Sequence, residues 1–123
     1  MSLTVRRLDP AFSVCKLRDF SEIDLARPFH FAARTDEECS LVCPTEFAPA
    51  DAVAREDGWR AFRIEGTLDF SLTGILARIS ALLAERSIGI FAVSTYNTDY
   101  ILTKAENFDR AIDALAEDGY HIL

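Results

Sequence analysis

The sequence predicts an α+β protein of two related units, the second a full βαββαβ and the first the same order with its first helix reduced. Three observations lead there. Segments alternating apolar and polar residues, the mark of half-buried strands, are interleaved with stretches whose apolar residues recur at three-and-four spacing, the mark of amphipathic helices. Strand-like pieces of the two halves align at two offsets, 60 for the later strands and 47 for the first. The length of 123 residues suits one compact domain or two very small ones sharing a core.

Leu3 to Leu8 and Phe12 to Leu17 read as short strands joined by an Asp9-Pro10 turn. Asp19 to Arg27 has weak helical spacing and stops before Pro28. Phe29 to Arg34 and Cys39 to Cys43 are strands linked by the acidic turn Thr35-Asp36-Glu37-Glu38. Pro44 to Gly58, with two prolines, small residues and charges, reads as linker with at most one helical turn. The units therefore divide as 1–57, an N-terminal unit with its linker, and 58–123.

The second half is clearer. Trp59 to Glu65 alternates as a strand, and Gly66 to Phe70 is a loop. A helix follows from about Ser71 to Arg86, with Leu72, Ile75, Leu76, Ile79, Leu82 and Leu83 on one face. Ile88 to Thr95 and Asp99 to Thr103 are strands around a Tyr96-Asn97-Thr98 turn. A second helix spans about Phe108 to Asp118, with Gly119 at its C′ position, and Tyr120 to Leu123 closes as a strand.

The repeat supports this division. Phe31-Ala32-Ala33-Arg34-Thr35 aligns with Phe91-Ala92-Val93-Ser94-Thr95 at an offset of 60, and Leu41-Val42 falls on Ile101-Leu102 at the same offset. Phe12 to Leu17 matches Trp59 to Ile64 at an offset of 47. The missing 13 residues fall where the long helix of the second half sits.

Composition removes several classes. A net charge of −7 argues against a sequence-independent grip on nucleic acid or on an anionic membrane, since both rely on cationic surface. No apolar run approaches the ~20 residues that span a bilayer. The first residues alternate like a strand rather than forming a signal peptide. The three cysteines, Cys15, Cys39 and Cys43, form no CxxC and suit a reducing compartment, so a cytoplasmic location is expected.

No metal site, cofactor or catalytic residue is expected either. Cys39 and Cys43, four apart on a strand, stand ~13 Å from each other, too far for a disulfide or a shared ion. His30 and His121 stand alone among aromatic or apolar neighbours. No Walker A, G-x-S-x-G or G-x-G-x-x-G motif occurs. An RNA-recognition module would need aromatic RNP residues on a central strand, which Asp99-Tyr100-Ile101-Leu102-Thr103 does not supply. An acylphosphatase-like enzyme would need an arginine in the loop from Gly66 to Phe70, which has none.

Two segments carry a family likeness: Glu65-Gly66-Thr67-Leu68-Asp69-Phe70-Ser71-Leu72-Thr73-Gly74-Ile75-Leu76, and the stretch from Ser87 to Leu102. Together they resemble the small bacterial tandem-ACT proteins, which are similar to the regulatory ACT pairs of aspartate kinase and to CASTOR-type arginine sensors. The resemblance spans almost the whole chain, with its specificity in Ile88 to Leu102. It implies ferredoxin-like units, sheet-to-sheet pairing of units as in a homodimer, and amino-acid binding where units meet, with no reaction. The chain departs from the kinase arrangement in that no catalytic domain accompanies the units, so whatever it regulates is expected to be a separate molecule, or nothing at all. Where the kinase-type loop typically carries Asp-x-Pro-Gly, this chain has Asp69-Phe70-Ser71, with Gly74 further on.

The residues suit such a ligand. A helix N-terminus offers unpaired N–H groups and partial positive charge to a carboxylate, and Asp69, Phe70, Ser71 and Leu72 stand at that place after a strand. Asp99 or Asp69 would accept from an ammonium or a cationic side chain. Ile88 and the hairpin residues Thr95, Tyr96, Asn97 and Thr98 complete the expected site. Asp69 and Ser71 equally suit a helix cap, and Asp99 equally suits the opening of a strand. The expectation is a non-catalytic, amino-acid-binding regulatory protein, arginine being the first ligand to try. The alternative is a ligand-free interaction module acting on a separate enzyme.

Overall fold

The computed structural model describes residues 3–65 and 74–123. These hold β1 (Thr4–Arg7), β2 (Phe12–Leu17), β3 (Phe31–Arg34), β4 (Cys39–Pro44), a 3-10 turn (Thr45–Phe47), β5 (Ala54–Ile64), α1 (Ile75–Glu85), β6 (Phe91–Ser94), β7 (Asp99–Lys104), α2 (Ala105–Glu117) and β8 (His121–Ile122). The fold is α+β, and the chain divides into two compact units. One comprises Met1–Asp9 with Arg60–Leu123, the other Pro10–Trp59. They are called here the helical and the loop-covered unit.

The repeat is one of register as well as of sequence. In the loop-covered unit Phe31 faces Val42, and the pairs Ala32–Leu41, Ala33–Ser40 and Arg34–Cys39 follow. In the helical unit Phe91 faces Leu102, followed by Ala92–Ile101, Val93–Tyr100 and Ser94–Asp99. Every pair is displaced by the same 60 residues. The loop-covered unit has strand order β3-β4-β2-β5 and the helical unit β6-β7-β5-β1-β8. Both therefore run second, third, first, last, except that β1 enters the helical unit between its first and last strands. β1 lies antiparallel to β5 and parallel to β8.

In the helical unit Val5, Phe62, Ile64 and Ile101 meet Ile79 and Leu83 of α1 and Phe108, Ile112 and Leu115 of α2. Fully burying each such side chain contributes about 1.5–3 kcal/mol. Ile79 and Leu83 are one turn apart on α1, and Phe108, Ala111, Ile112 and Leu115 repeat at three-and-four spacing on α2, so each helix turns one stripe inward. Both helices end in a Schellman motif. After α1 the Ile88 N–H reaches the Leu83 carbonyl and the Ser87 N–H that of Ala84. After α2 Tyr120 reaches Leu115 and Gly119 reaches Ala116. The left-handed residue is Gly119 in one and Ser87, at φ +58°, in the other.

The loop-covered unit has no α-helix among its residues, so the reduction goes further than the sequence predicts. Asp19 to Arg27 forms turns, not a helix. The Asp19 carboxylate accepts from the N–H and hydroxyl of Ser21, and the Asp24 carboxylate from the Ala26 N–H. Short acidic side chains that bind the backbone two residues on compete directly with helix formation. Phe20 and Ile23 of this loop, with Ala48 and Ala52, cover Cys15, Leu17, Cys39, Leu41 and Cys43 on one face of the sheet.

The expected linker also differs. β5 begins at Ala54, not Trp59, because Ala54, Arg55 and Glu56 pair with Lys16, Cys15 and Val14 of β2. Their exposed side chains leave no alternating apolar signal. Arg55 and Asp57 join a polar chain across this unit. The hydroxyls of Thr45 and Ser13 are 2.9 Å apart, Ser13 donates to Asp57 at 2.5 Å, and Arg55 donates to the same carboxylate at 2.8 Å. No helix among the described residues is long and apolar enough to cross a membrane.

Candidate functional site

The β6–β7 hairpin carries most of the expected site that lies within the described residues. Its turn is built from its own threonines. Thr95 donates both its N–H and its hydroxyl to the Thr98 carbonyl, each at 2.9 Å. The Thr98 hydroxyl donates to the Ile64 carbonyl at 2.7 Å, tying the turn to the end of β5. Thr35 closes the β3–β4 turn in the same way, its N–H bonding the Glu38 carbonyl and its hydroxyl accepting from Glu37 and Glu38. A threonine opening an acidic or amide-rich turn is thus the shared device of both units.

Asp99 begins β7 on the same face of the sheet as the core residue Ile101, two positions on. Ser94, its cross-strand partner, donates its hydroxyl to the Asp99 carboxylate at 2.6 Å. That bond pre-orients an acceptor on the helix side of the sheet, where a cationic group of a ligand would be met. Tyr96 projects from the turn with 80% of its surface exposed. Asn97 is exposed, whereas Thr98 is buried. The structure therefore brings Thr95, Tyr96, Asn97, Thr98 and Asp99 together on one hairpin. Ile88 stands apart from them: its side chain is in the core and its N–H closes α1.

Asp69, Phe70, Ser71 and Leu72 lie outside the described residues. Gly74, beyond them, is the residue that caps α1, with φ +81° and its carbonyl accepting from the Arg78 N–H. A Cβ built on it meets nothing within 4 Å. Its backbone conformation, not close packing, selects glycine.

Two features escaped the sequence reading. Asp-Phe-Ser occurs twice, at 19–21 and at 69–71, each time shortly after the first strand of its unit. In the first copy the Ser21 hydroxyl and N–H hold the Asp19 carboxyl below the usual carboxylate range. It lines a shallow cleft of about 160 Å³ with Leu17, Arg18, Glu22, Pro49 and Asp51. The tripeptide repeat is legible in the sequence once the strands are aligned with a gap of three. The second feature is a pair of arginines, Arg6 and Arg63, on one carboxylate, Glu65. No sequence signal finds it, because the pairing of β1 with β5 is long-range.

Among the described residues no group of three or more His, Cys, Asp or Glu side chains is placed to hold a metal ion. All three cysteines are free and buried. Burial foremost, then the nearness of Cys15, pushes the Cys43 thiol up to about 11.

The family model for the ACT domain matches residues 54–117. No curated protein matches the chain. A solved protein from Agrobacterium tumefaciens superposes with a TM-score of 0.87 at 28% identity, covering 100% of this chain and 93% of that one. A Vibrio cholerae protein of unknown function gives 0.74 at 21% identity, covering 94% and 89%. The regulatory subunit of aspartate kinase from Thermus thermophilus gives 0.65 at 11% identity, covering 95% and 98%. The chain shares the fold of the aspartate kinase regulatory pair.

Proposed function

Because the chain belongs to the ACT domain family, we propose that it is a non-catalytic regulatory protein that binds a free amino acid. The ligand lies between the segment 66–73 and the β6–β7 hairpin, so the site belongs to the part of the chain from 58 to 123. Asp69 or Asp99 receives a cationic group, and the head of α1, which is capped by Gly74, receives the carboxylate. The observation that carries this reading is Asp99, held by the Ser94 hydroxyl at 2.6 Å on the helix side of the sheet. A charge-assisted bond to such a carboxylate contributes about 1.5–3 kcal/mol.

Binding acts by differential affinity for two arrangements of a homodimer or of a complex with a separate enzyme. A thermal-shift and calorimetric screen of the twenty amino acids, arginine first, tests it. The expected result is one ligand that raises the melting temperature at millimolar concentration and loses that effect in Asp99→Asn. Silence across the screen rejects the reading.

A second reading, a ligand-free interaction module, is favoured by the hydrogen bonding of the turn itself. The hydroxyls of Thr95 and Thr98 are committed to backbone carbonyls, as expected of a purely structural hairpin. A homodimer in light scattering together with a silent amino-acid screen would select it.

A further inference from the structure

We propose that Arg6 and Arg63 form a receptor for a small-molecule oxyanion, a carboxylate or phosphate, occupied in this structure by the protein's own Glu65. The two arginines are direct cross-strand partners on β1 and β5. Their neighbours Val5, Phe62 and Ile64 are core residues. Strand alternation therefore puts both guanidinium groups on the sheet face away from α1 and α2. Tyr100, which alternates with the core residue Ile101, shares that face, and Arg63 donates to its hydroxyl at 3.4 Å. Asp99 points to the other side of the sheet, so this pair is separate from the site proposed above.

The geometry is that of an under-filled clamp. Arg6 Nε reaches Glu65 Oε1 at 2.8 Å and Arg63 Nε reaches the same oxygen at 3.1 Å. A guanidinium matches a carboxylate best through two parallel bonds to two oxygens. Here two guanidinium groups share one oxygen, so among the described residues two arginines face one carboxylate, in a chain whose net charge is −7. The side chains of Arg6, Glu65 and Arg63 are 43%, 27% and 30% exposed, so an external anion has access. The arginines also hold the Glu65 carboxyl below its usual range, chiefly through the Arg63 hydrogen bond. Glu65 thus remains an ionised competitor at neutral pH, and it directly precedes the segment 66–73. An arriving anion would release it.

The test titrates wild type, Glu65→Gln and Glu65→Gln/Arg63→Gln with succinate and, separately, with inorganic phosphate at constant ionic strength. Binding is followed by calorimetry and by the arginine Nε–H signals in NMR spectra. Removing the internal competitor is expected to tighten at least one anion by about tenfold, the size of one charge-assisted hydrogen bond. The added Arg63→Gln change is expected to abolish the gain. The preferred probe identifies the oxyanion class. Equal affinity in wild type and Glu65→Gln, or in Glu65→Gln and the double variant, overturns the proposal. Should the double variant melt early, Glu65→Gln/Arg6→Gln takes its place with the same outcomes. Since the readouts are Glu65 and the arginines rather than Asp99, a failure here is distinguishable from a failure of the amino-acid screen.

Discussion

Ser13, with no exposed surface, donates its hydroxyl to Asp57 at 2.5 Å. The bond joins β2 to the early part of β5, in the unit whose sheet is covered by loops. Asp57 also receives Arg55, whose hydrogen bond is the larger cause of the depressed carboxyl and Ser13 the next. A carboxyl depressed in the folded state adds stability above its unfolded value, about 3.9, and loses it as pH falls through the folded value. Urea midpoints are therefore expected to drop below about pH 4, and Asp57→Asn to flatten part of that slope. An unchanged slope in the variant would show that Asp57 contributes nothing to acid stability.

Ser13→Ala removes the buried hydroxyl between Thr45 and Asp57. The expected cost is about 1 kcal/mol, read as a shift of the urea midpoint at constant slope. A loss below a few tenths of a kcal/mol would mean that water replaces the bond without penalty.

Ser87 holds φ +58° at the end of α1, where α2 uses Gly119 at φ +98°. A side chain in the left-handed region costs about 1–2 kcal/mol, and part of the gain from glycine is returned as unfolded-chain entropy. Ser87→Gly is expected to stabilise the protein by about 0.5–1 kcal/mol. Gly119→Ala is expected to destabilise it by about 1 kcal/mol or more. Thermal melting of the two variants in opposite directions checks the pair.

Thr98→Val keeps the shape of the turn but leaves the Ile64 carbonyl without its 2.7 Å donor. A buried acceptor left without its partner costs about 1–3 kcal/mol. Denaturant melting measures the loss. Were the stability unchanged, the tie between the turn and β5 would be dispensable.

Cys43, with none of its surface exposed, keeps its proton to about pH 11, whereas an unfolded thiol ionises near 8.5. A thiol raised in this way contributes stability that is complete below the unfolded value and declines as pH rises towards the folded one. The expected observation is no reaction with a thiol reagent at pH 8 in the native protein and full reaction in urea. The urea midpoint is also expected to fall between about pH 8.5 and the folded value. Rapid native labelling of Cys43 would contradict its burial.

The two halves differed in how much could be read from them. The spacing of Ile75, Ile79 and Leu83 and of Phe108, Ala111, Ile112 and Leu115 announced α1 and α2, because helix neighbours are sequence neighbours. Asp19 to Arg27 misled for the converse reason. Its spacing is compatible with a helix, yet Asp19 and Asp24 spend their carboxylates on nearby N–H groups. The early part of β5 was illegible because strand pairing there needs only backbone. Asp99 and the turn before it were visible as a polar hairpin, whereas Arg6, Arg63 and Glu65 were not visible as a group.

What the sequence determined by itself was the two helices and the alternating strands, the face each presents, and the 60-residue repeat that reappears as identical hairpin register. Those are local or periodic properties, set by side-chain alternation and helical spacing. Tertiary structure alone decided which strand lies beside which. It placed β1 between β5 and β8, and with that brought Arg6 opposite Arg63. Alternation dictates which way a strand's side chains point, but its neighbour is selected by contacts between residues far apart in the chain, and those leave no period to read.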